Sequence, residues 1–233
     1  MRLPTRGGLL AAALLLTACG GTGSGPATLE TDDQKASYGI GLDMGRSLEP
    51  AKGRLDLAAF QKGIEDAMSG AEPALDQAAI QDAIQVFSQS IMEARQKEQD
   101  ELGQKNQAEG EAYLAQNGAR EGVVTTESGL QYEVLREGDG PRPTNGQQVR
   151  LHYKGTLIDG KEFDSSYSRN EPAVFPVGGL IAGFNEALEL MPVGSHWRIV
   201  IPGDLAYGPG GTGQDIGPNA TLIFEIELLE IVE

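Results

Sequence analysis

Cysteine, histidine and positive charge are all scarce in this chain. Its 233 residues include one cysteine, Cys19, and two histidines, His152 and His196. A single cysteine excludes an internal disulfide and a cysteine-based metal cluster. Two histidines without any His-rich tract leave little room for a histidine-dependent site. Neither sits in a nucleophile-like context, so a hydrolase built on a Ser–His pair is a poor reading. Lys and Arg number 18 against 34 Asp and Glu, a net charge of −16. Nothing here would neutralise phosphates, so nucleic acid is not expected as a partner. Solubility and repulsion from anionic surfaces are the blander consequences of the same charge.

The amino-terminal residues have the layout of an address. Arg2 and Arg6 precede an apolar run from Leu9 to Leu16, too short for a stable transmembrane helix. Residues 1–18 therefore read as a signal peptide. The ending Leu16-Thr17-Ala18-Cys19 resembles a bacterial lipobox, which implies cleavage before Cys19 and lipid on its sulfur. The only cysteine falls at the one position that demands it. The plainer alternative is an ordinary signal peptide cut nearby. Two or three acyl chains anchor firmly where one binds marginally. Gly20 in place of Asp implies, by the bacterial sorting rule, the outer membrane, with the body in the periplasm or at the cell surface. Residues 19–30, rich in Gly, Ser and Thr, read as a flexible tether.

Residues 31–120 read as helical. Thr31-Asp32-Asp33 is an N-cap signal for a helix through Tyr38, Leu42 and Leu48, although Gly39, Gly41 and Gly45 each cost about 1 kcal/mol against alanine. Asp56 caps a second helix with Leu57, Phe60, Ile64 and Met68 on one face. A third starts near Asp76, with Ile80, Ile84, Phe87 and Ile91 at helical spacing. From Glu93 to Glu111 the apolar stripe fades, yet no proline interrupts the helix formers. One reading is a polar strut continuous with the third helix, roughly 60 Å long at 1.5 Å per residue. The other is a disordered charged linker, which Gly103 and Gly110 favour. The short helices hold too little apolar surface for a core of their own, and a second copy is a natural way to bury it.

Residues 121–233 change character. VRLHYKGTL alternates, with Val149, Leu151 and Tyr153 on one face and Arg150, His152 and Lys154 on the other. Asp159-Gly160 is a hairpin signal, and Phe163-Asp164 follows it. FPVGGLIAGFNEALELMPVG reads as a strand end, a glycine turn and one short helix carrying Ile181, Phe184 and Leu188. Then come the strand HWRIVIP, a Gly/Pro-rich loop holding Tyr207, and the strand ATLIFEIELLEIV. An antiparallel sheet wrapped over one short helix fits this order, so the chain is α+β.

Taken together, YKGTL-DGKEFDSS, the FPVG-LIAGFNEAL-LMPVG block, IPGDLAYG and IGPNATLIFEIELL resemble the FKBP family of peptidyl-prolyl cis–trans isomerases, from about Gly129 to the C-terminus. The helical region before it resembles the amino-terminal dimerisation region of the macrophage infectivity potentiator (Mip) subgroup, which implies a homodimer through residues 31–75. The resemblance implies isomerisation of X–Pro bonds in exported or envelope polypeptides, with no cofactor or metal. It also implies a pocket of Tyr153, Phe163, Asp164, Phe175, Leu180, Ile181, Phe184, Tyr207, Ile216 and Phe224. In that reading Tyr153, Phe163 and Phe224 grip the prolyl ring over a floor of Phe184. The Ile181 N–H and the Tyr207 hydroxyl hold substrate carbonyls, and Asp164 orients Tyr153. By periodicity alone the apolar members are core, Asp164 a solvated turn acid and Tyr207 an incidental loop aromatic. Departures from the family pattern are Phe184 where most members have tryptophan, Ala173 where many have an aromatic, and Ile216-Gly217-Pro218 for Ile-Pro-Pro. Trp197 reads as packing. The alternative function is a cell-envelope chaperone whose helical dimer does the main work.

Overall fold

The computed structural model describes residues 28–213 and 215–232. The expected signal peptide, the lipidated Cys19 and most of the tether lie outside the described residues. The described chain divides into two compact units, one up to Pro73 and the other from Ala74 onward.

The first unit contains helices α1 (Asp32–Ser47) and α2 (Leu57–Ser69), joined through a 3-10 turn at Glu49–Ala51. Local signals start both helices. The Thr31 hydroxyl accepts from the Gln34 N–H while the Gln34 side chain accepts from the Thr31 N–H, a capping box. The Asp56 carboxylate accepts from the N–H groups of Ala58 and Ala59, and α2 ends at Gly70 with φ +70. Neither helix has a single buried residue. Tyr38, Ile40, Leu42, Met44, Leu57 and Met68 all face solvent.

The second unit opens with α3 (Gln77–Gly118), capped by Asp76, whose carboxylate accepts from the Ala79 N–H. It is one unbroken helix of 42 residues, about 63 Å at the usual rise. The two glycines that argued for a linker are instead its points of attachment. Gly103, Gly110 and Asn117 are its buried residues and recur every seven positions, so they share one face. A Cβ at Gly103 would lie 3.3 Å from Asn219 and 3.5 Å from Pro218, and one at Gly110 would overlap Thr221. The helix propensity lost at glycine is offset by this close approach. At the C-terminal end, Asn117 Nδ2 donates to Gln131 Oε1 at 2.8 Å, and Asn117 Oδ1 accepts from Arg120 and Arg198. Gln131 Nε2 donates to the Leu114 carbonyl, and Arg198 donates to the Tyr113 hydroxyl at 2.6 Å. Such a satisfied network fixes the helix on the sheet. Gly110→Val is expected to lower stability by about 1–3 kcal/mol through overpacking, read as a lower denaturant midpoint; an unchanged midpoint would mean that α3 is not seated there.

Seven antiparallel strands follow: β1 (Val123–Thr125), β2 (Gln131–Arg136), β3 (Gln148–Leu157), β4 (Glu162–Ser165), β5 (Ala173–Pro176), β6 (His196–Ile201) and β7 (Leu222–Val232). Their order is β1-β2-β6-β7-β3-β4, with β5 also pairing β3. In β3 the expected alternation appears as buried Val149, Leu151 and Tyr153 against exposed or half-buried Arg150, His152 and Lys154. One helix, α4 (Ala182–Leu190), lies between β5 and β6 in the chain. Its Phe184, Ala187 and Leu188 pack with Leu151, Ile199, Ile201, Leu222, Ile226 and Leu228 in one core. Trp197 joins that core and stacks on Tyr132 with ring centroids 4.4 Å apart.

Candidate active site

Gly155 is where the site begins. In the sheet register it lies between Asp164 on β4 and Phe224 on β7. A Cβ at Gly155 would come within 2.6 Å of the Phe163 ring and 2.8 Å of the Phe224 ring. The missing side chain is therefore replaced by two aromatic rings, packed edge to face with centroids 5.5 Å apart. The β3–β4 register shifts between Gly155 and Thr156. A bulge of this kind re-aims side chains, so the neighbours Phe163 and Asp164 both border one hollow.

That hollow, of about 240 Å³, is bounded by Tyr153, Phe163, Asp164, Phe175, Leu180, Ile181, Phe184, Tyr207 and Phe224. Phe184, only 4 % exposed, stands edge-on to Phe224 at 5.1 Å and to Tyr153 at 6.4 Å. Tyr153 also meets Phe175 at 5.7 Å. Edge-to-face packing of this kind holds aromatic rings in defined orientations. Ile216, expected in the same hollow, is buried in one cluster with Tyr153, Phe184 and Phe224, and its carbonyl accepts from the Thr212 N–H.

Polar groups are few and converge. The Tyr153 hydroxyl donates to Asp164 Oδ2. Arg169, which no sequence pattern singled out, donates from Nη1 to Asp164 Oδ1 at 2.6 Å and from Nη2 to the Tyr153 hydroxyl at 2.9 Å. It reaches them because the chain turns after β4, with Asn170 at φ +53. Burial pushes the Tyr153 phenol up, helped by its bond to Asp164, so it remains a neutral donor. Burial also pushes the Asp164 carboxyl up. The hydrogen bonds from Tyr153 and Arg169, with the Arg169 charge, outweigh that, and the carboxyl lies below its usual 3.8. A carboxyl held low in the folded state contributes stability above its unfolded value, lost as pH falls through the folded one. Isomerase activity is thus expected to stay level from neutrality down to about pH 4, the ordinary aspartate range. A decline beginning near pH 6 in a pH–rate profile would contradict this.

The remaining wall is backbone. Ile181 is the N-cap of α4, with φ −60 and ψ 149, and its carbonyl accepts from Phe184 and Asn185. Asn185, also missed in the sequence, ties this turn from within the helix. Its Oδ1 accepts from the N–H groups of Gly178 and Leu180, and its Nδ2 donates to the Leu180 carbonyl at 2.7 Å. Tyr207 stands on the opposite rim, 43 % exposed, between two 3-10 turns. A Ser–His contact joins His152 Nδ1 and Ser166 Oγ at 2.9 Å. Ser166 is fully buried and also bonds the Tyr153 backbone, so it braces β3.

Both parts of the chain are similar to known proteins. Residues 140–229 match the family described as FKBP-type peptidyl-prolyl cis-trans isomerase. Residues 33–134 match the domain described as amino terminal to FKBP-type peptidyl-prolyl isomerase. The FKBP-type 22 kDa peptidyl-prolyl cis-trans isomerase of Escherichia coli is 46% identical over 207 residues, spanning 88% of this chain and 98% of that protein. The outer membrane protein MIP of Legionella longbeachae is 41% identical over 204 residues, 88% of each chain. The crystal structure of FkpA from Escherichia coli is similar with a TM-score of 0.68 and 36% identity, covering 88% of this chain and 98% of that one.

Proposed function

The chain belongs to the FKBP-type peptidyl-prolyl cis–trans isomerases, and we propose that it isomerises X–Pro bonds by removing water from the amide inside the aromatic hollow. Rotation about the peptide bond meets a barrier of about 18–20 kcal/mol and takes tens of seconds unaided at X–Pro. No bond is broken, so no nucleophile is required. The planar amide is stabilised by resonance that places charge on its oxygen, and water favours that charge. The twisted form has lost the resonance and is less dipolar, so an apolar site disfavours it less. Tyr153, Phe163 and Phe224 surround the prolyl ring, with Phe184 beneath it. The Ile181 N–H takes the carbonyl after the proline, and the Tyr207 hydroxyl takes a second substrate carbonyl. Asp164, held by Tyr153 and Arg169, sets the field at the rotating bond. The single observation that carries this reading is the convergence of six aromatic walls on one singly charged, hydrogen-bonded carboxylate. A proline-peptide isomerisation assay on the body from Thr31 onward tests it, run with Tyr207→Phe and Phe184→Ala. Wild-type rates in both variants would remove these residues from the site.

The partners in this reading are proline-containing polypeptides of the bacterial cell envelope. The name of the Legionella relative, an outer membrane protein, supports that placement, as does the lipobox-like sequence at Cys19. Homodimerisation through residues 31–75 is supported by helices α1 and α2, which bury nothing of their own yet carry Tyr38, Ile40 and Leu57 in the open. Deleting residues 31–75 is expected to leave a monomer, with the mass of one shortened chain by light scattering. A mass of two shortened chains would place the association elsewhere. The same exposed side chains, with Ile84, Val86 and Met92 on α3, favour a second activity as a holdase chaperone. Suppression of client aggregation that survives Asp164→Leu but is lost with residues 31–75 would separate it from isomerisation.

A further inference from the structure

Tyr207 is carried by a loop whose two legs lean on one another. On the outgoing leg, a Cβ at Gly203 would lie 2.6 Å from the Asn219 carbonyl oxygen. The Gly208 carbonyl, next to Tyr207, accepts from the Asn219 N–H at 2.8 Å. Asn219 itself is held at φ +53, a conformation that few residues adopt without support. The returning leg, Gly217–Asn219, precedes β7. It rests on α3, where Asn106 Nδ2 donates to the Pro218 carbonyl at 2.8 Å. A Cβ at Gly217 would come within 2.9 Å of the same Nδ2. The Asn219 side chain makes a long contact of 3.5 Å to the Gly103 carbonyl. A cavity of about 250 Å³ lies beside it, bordered by Gln107 and Glu111 of α3 and by Pro202 and Asp204 of the outgoing leg. The helix therefore touches the outgoing leg loosely and grips the returning leg at Asn106.

We propose that Asn106 is a positioning residue of the isomerase site. It lies outside the hollow, on the long helix, and acts through the chain Pro218 carbonyl, Asn219 N–H, Gly208 carbonyl to hold Tyr207 at the rim. An undocked α3 leaves the catalytic residues in place but frees the Tyr207 wall, so substrate affinity depends on the arm that carries the domain. This rests on the reading that the Tyr207 hydroxyl binds substrate, and the test keeps the two apart.

The test uses the full chain with Asn106→Asp, which keeps the shape but cannot donate, alongside Tyr207→Phe and the double variant. Asn106→Asp is expected to raise KM for a proline tetrapeptide about three- to tenfold with kcat little changed, the loss of one hydrogen bond's worth of positioning. In the Tyr207→Phe background the same substitution is expected to add almost nothing, because two residues on one path do not act independently. Amide hydrogen exchange at Asn219 is expected to quicken in Asn106→Asp, a readout that does not depend on activity. Asn106→His, able to donate again, is expected to recover part of the affinity. Fully multiplicative losses in the double variant, or unaltered KM in a folded Asn106→Asp, would overturn the proposal. If Tyr207→Phe alone changes nothing, the reading of Tyr207 falls; the Asn219 exchange rate then decides whether Asn106 holds the loop at all, and an unaltered rate overturns that too.

Discussion

Asp164→Leu is expected to lower kcat/KM for a proline tetrapeptide by about 10- to 100-fold, the range for losing hydrogen bonds to a charged group. The carboxylate accepts from both Tyr153 and Arg169 at the edge of the hollow. Leucine removes the acceptor that orients the buried Tyr153 phenol and, among the described residues, the one negative charge bordering the cavity. Stability is expected to respond far less. The Asp164 and Arg169 side chains are 44 % and 53 % exposed, and pairs at that exposure contribute little to folding. Loss of rate with a nearly unchanged melting temperature is therefore the expected signature. A large fall in both would make Asp164 a structural residue; wild-type kinetics would leave the carboxylate outside the reaction. Asp164→Asn, which retains an acceptor for Tyr153 but not the charge, is expected to fall between the two.

Gly155→Val is expected to damage both activity and folding, for a reason that lies wholly in packing. The position lies near the C-terminal end of β3 but is paired on both sides, so the backbone cannot move away. Any Cβ there meets the rings of Phe163 and Phe224 at 2.6 and 2.8 Å. Two further methyl groups drive those rings toward the only space available, the hollow of about 240 Å³. Overpacking of this kind costs about 1–3 kcal/mol, a fall in melting temperature of roughly 2–12 °C for a unit of this size. Activity is expected to fall by more than about tenfold, since each factor of ten needs only about 1.4 kcal/mol at the transition state. Gly155→Ala is expected to show the same pattern, smaller. Measured stability and kcat/KM near wild type in the valine variant would mean that the two rings do not wall the site.

The helix starts were legible because their causes are local. Thr31, Asp56 and Asp76 each accept from a backbone N–H two or three positions on, and a cap needs nothing from the rest of the fold. The alternation of β3 was legible for the same reason, since a strand with one buried face repeats every two residues. The α+β order and the single helix among the later strands followed from these patterns. Family motifs then singled out Asp164 and the aromatic residues, although periodicity alone made them core or turn.

What stayed hidden depends on contacts between distant parts of the chain. Gly103 and Gly110 looked like interruptions of a polar helix. Their seven-residue repeat with Asn117 has meaning only once Pro218, Thr221 and Gln131 are known to lie against that face. Arg169 has no periodic neighbours, and only the turn at Asn170 brings it back onto Asp164. The sequence by itself determined where helices and strands begin, which faces they bury and which chemistry the residues suit, because capping and periodicity act over a few residues. Tertiary structure alone decided which carboxylate partner, which glycine and which stretch of the long helix support the site. Those roles are set by distances between residues up to 116 positions apart in the chain.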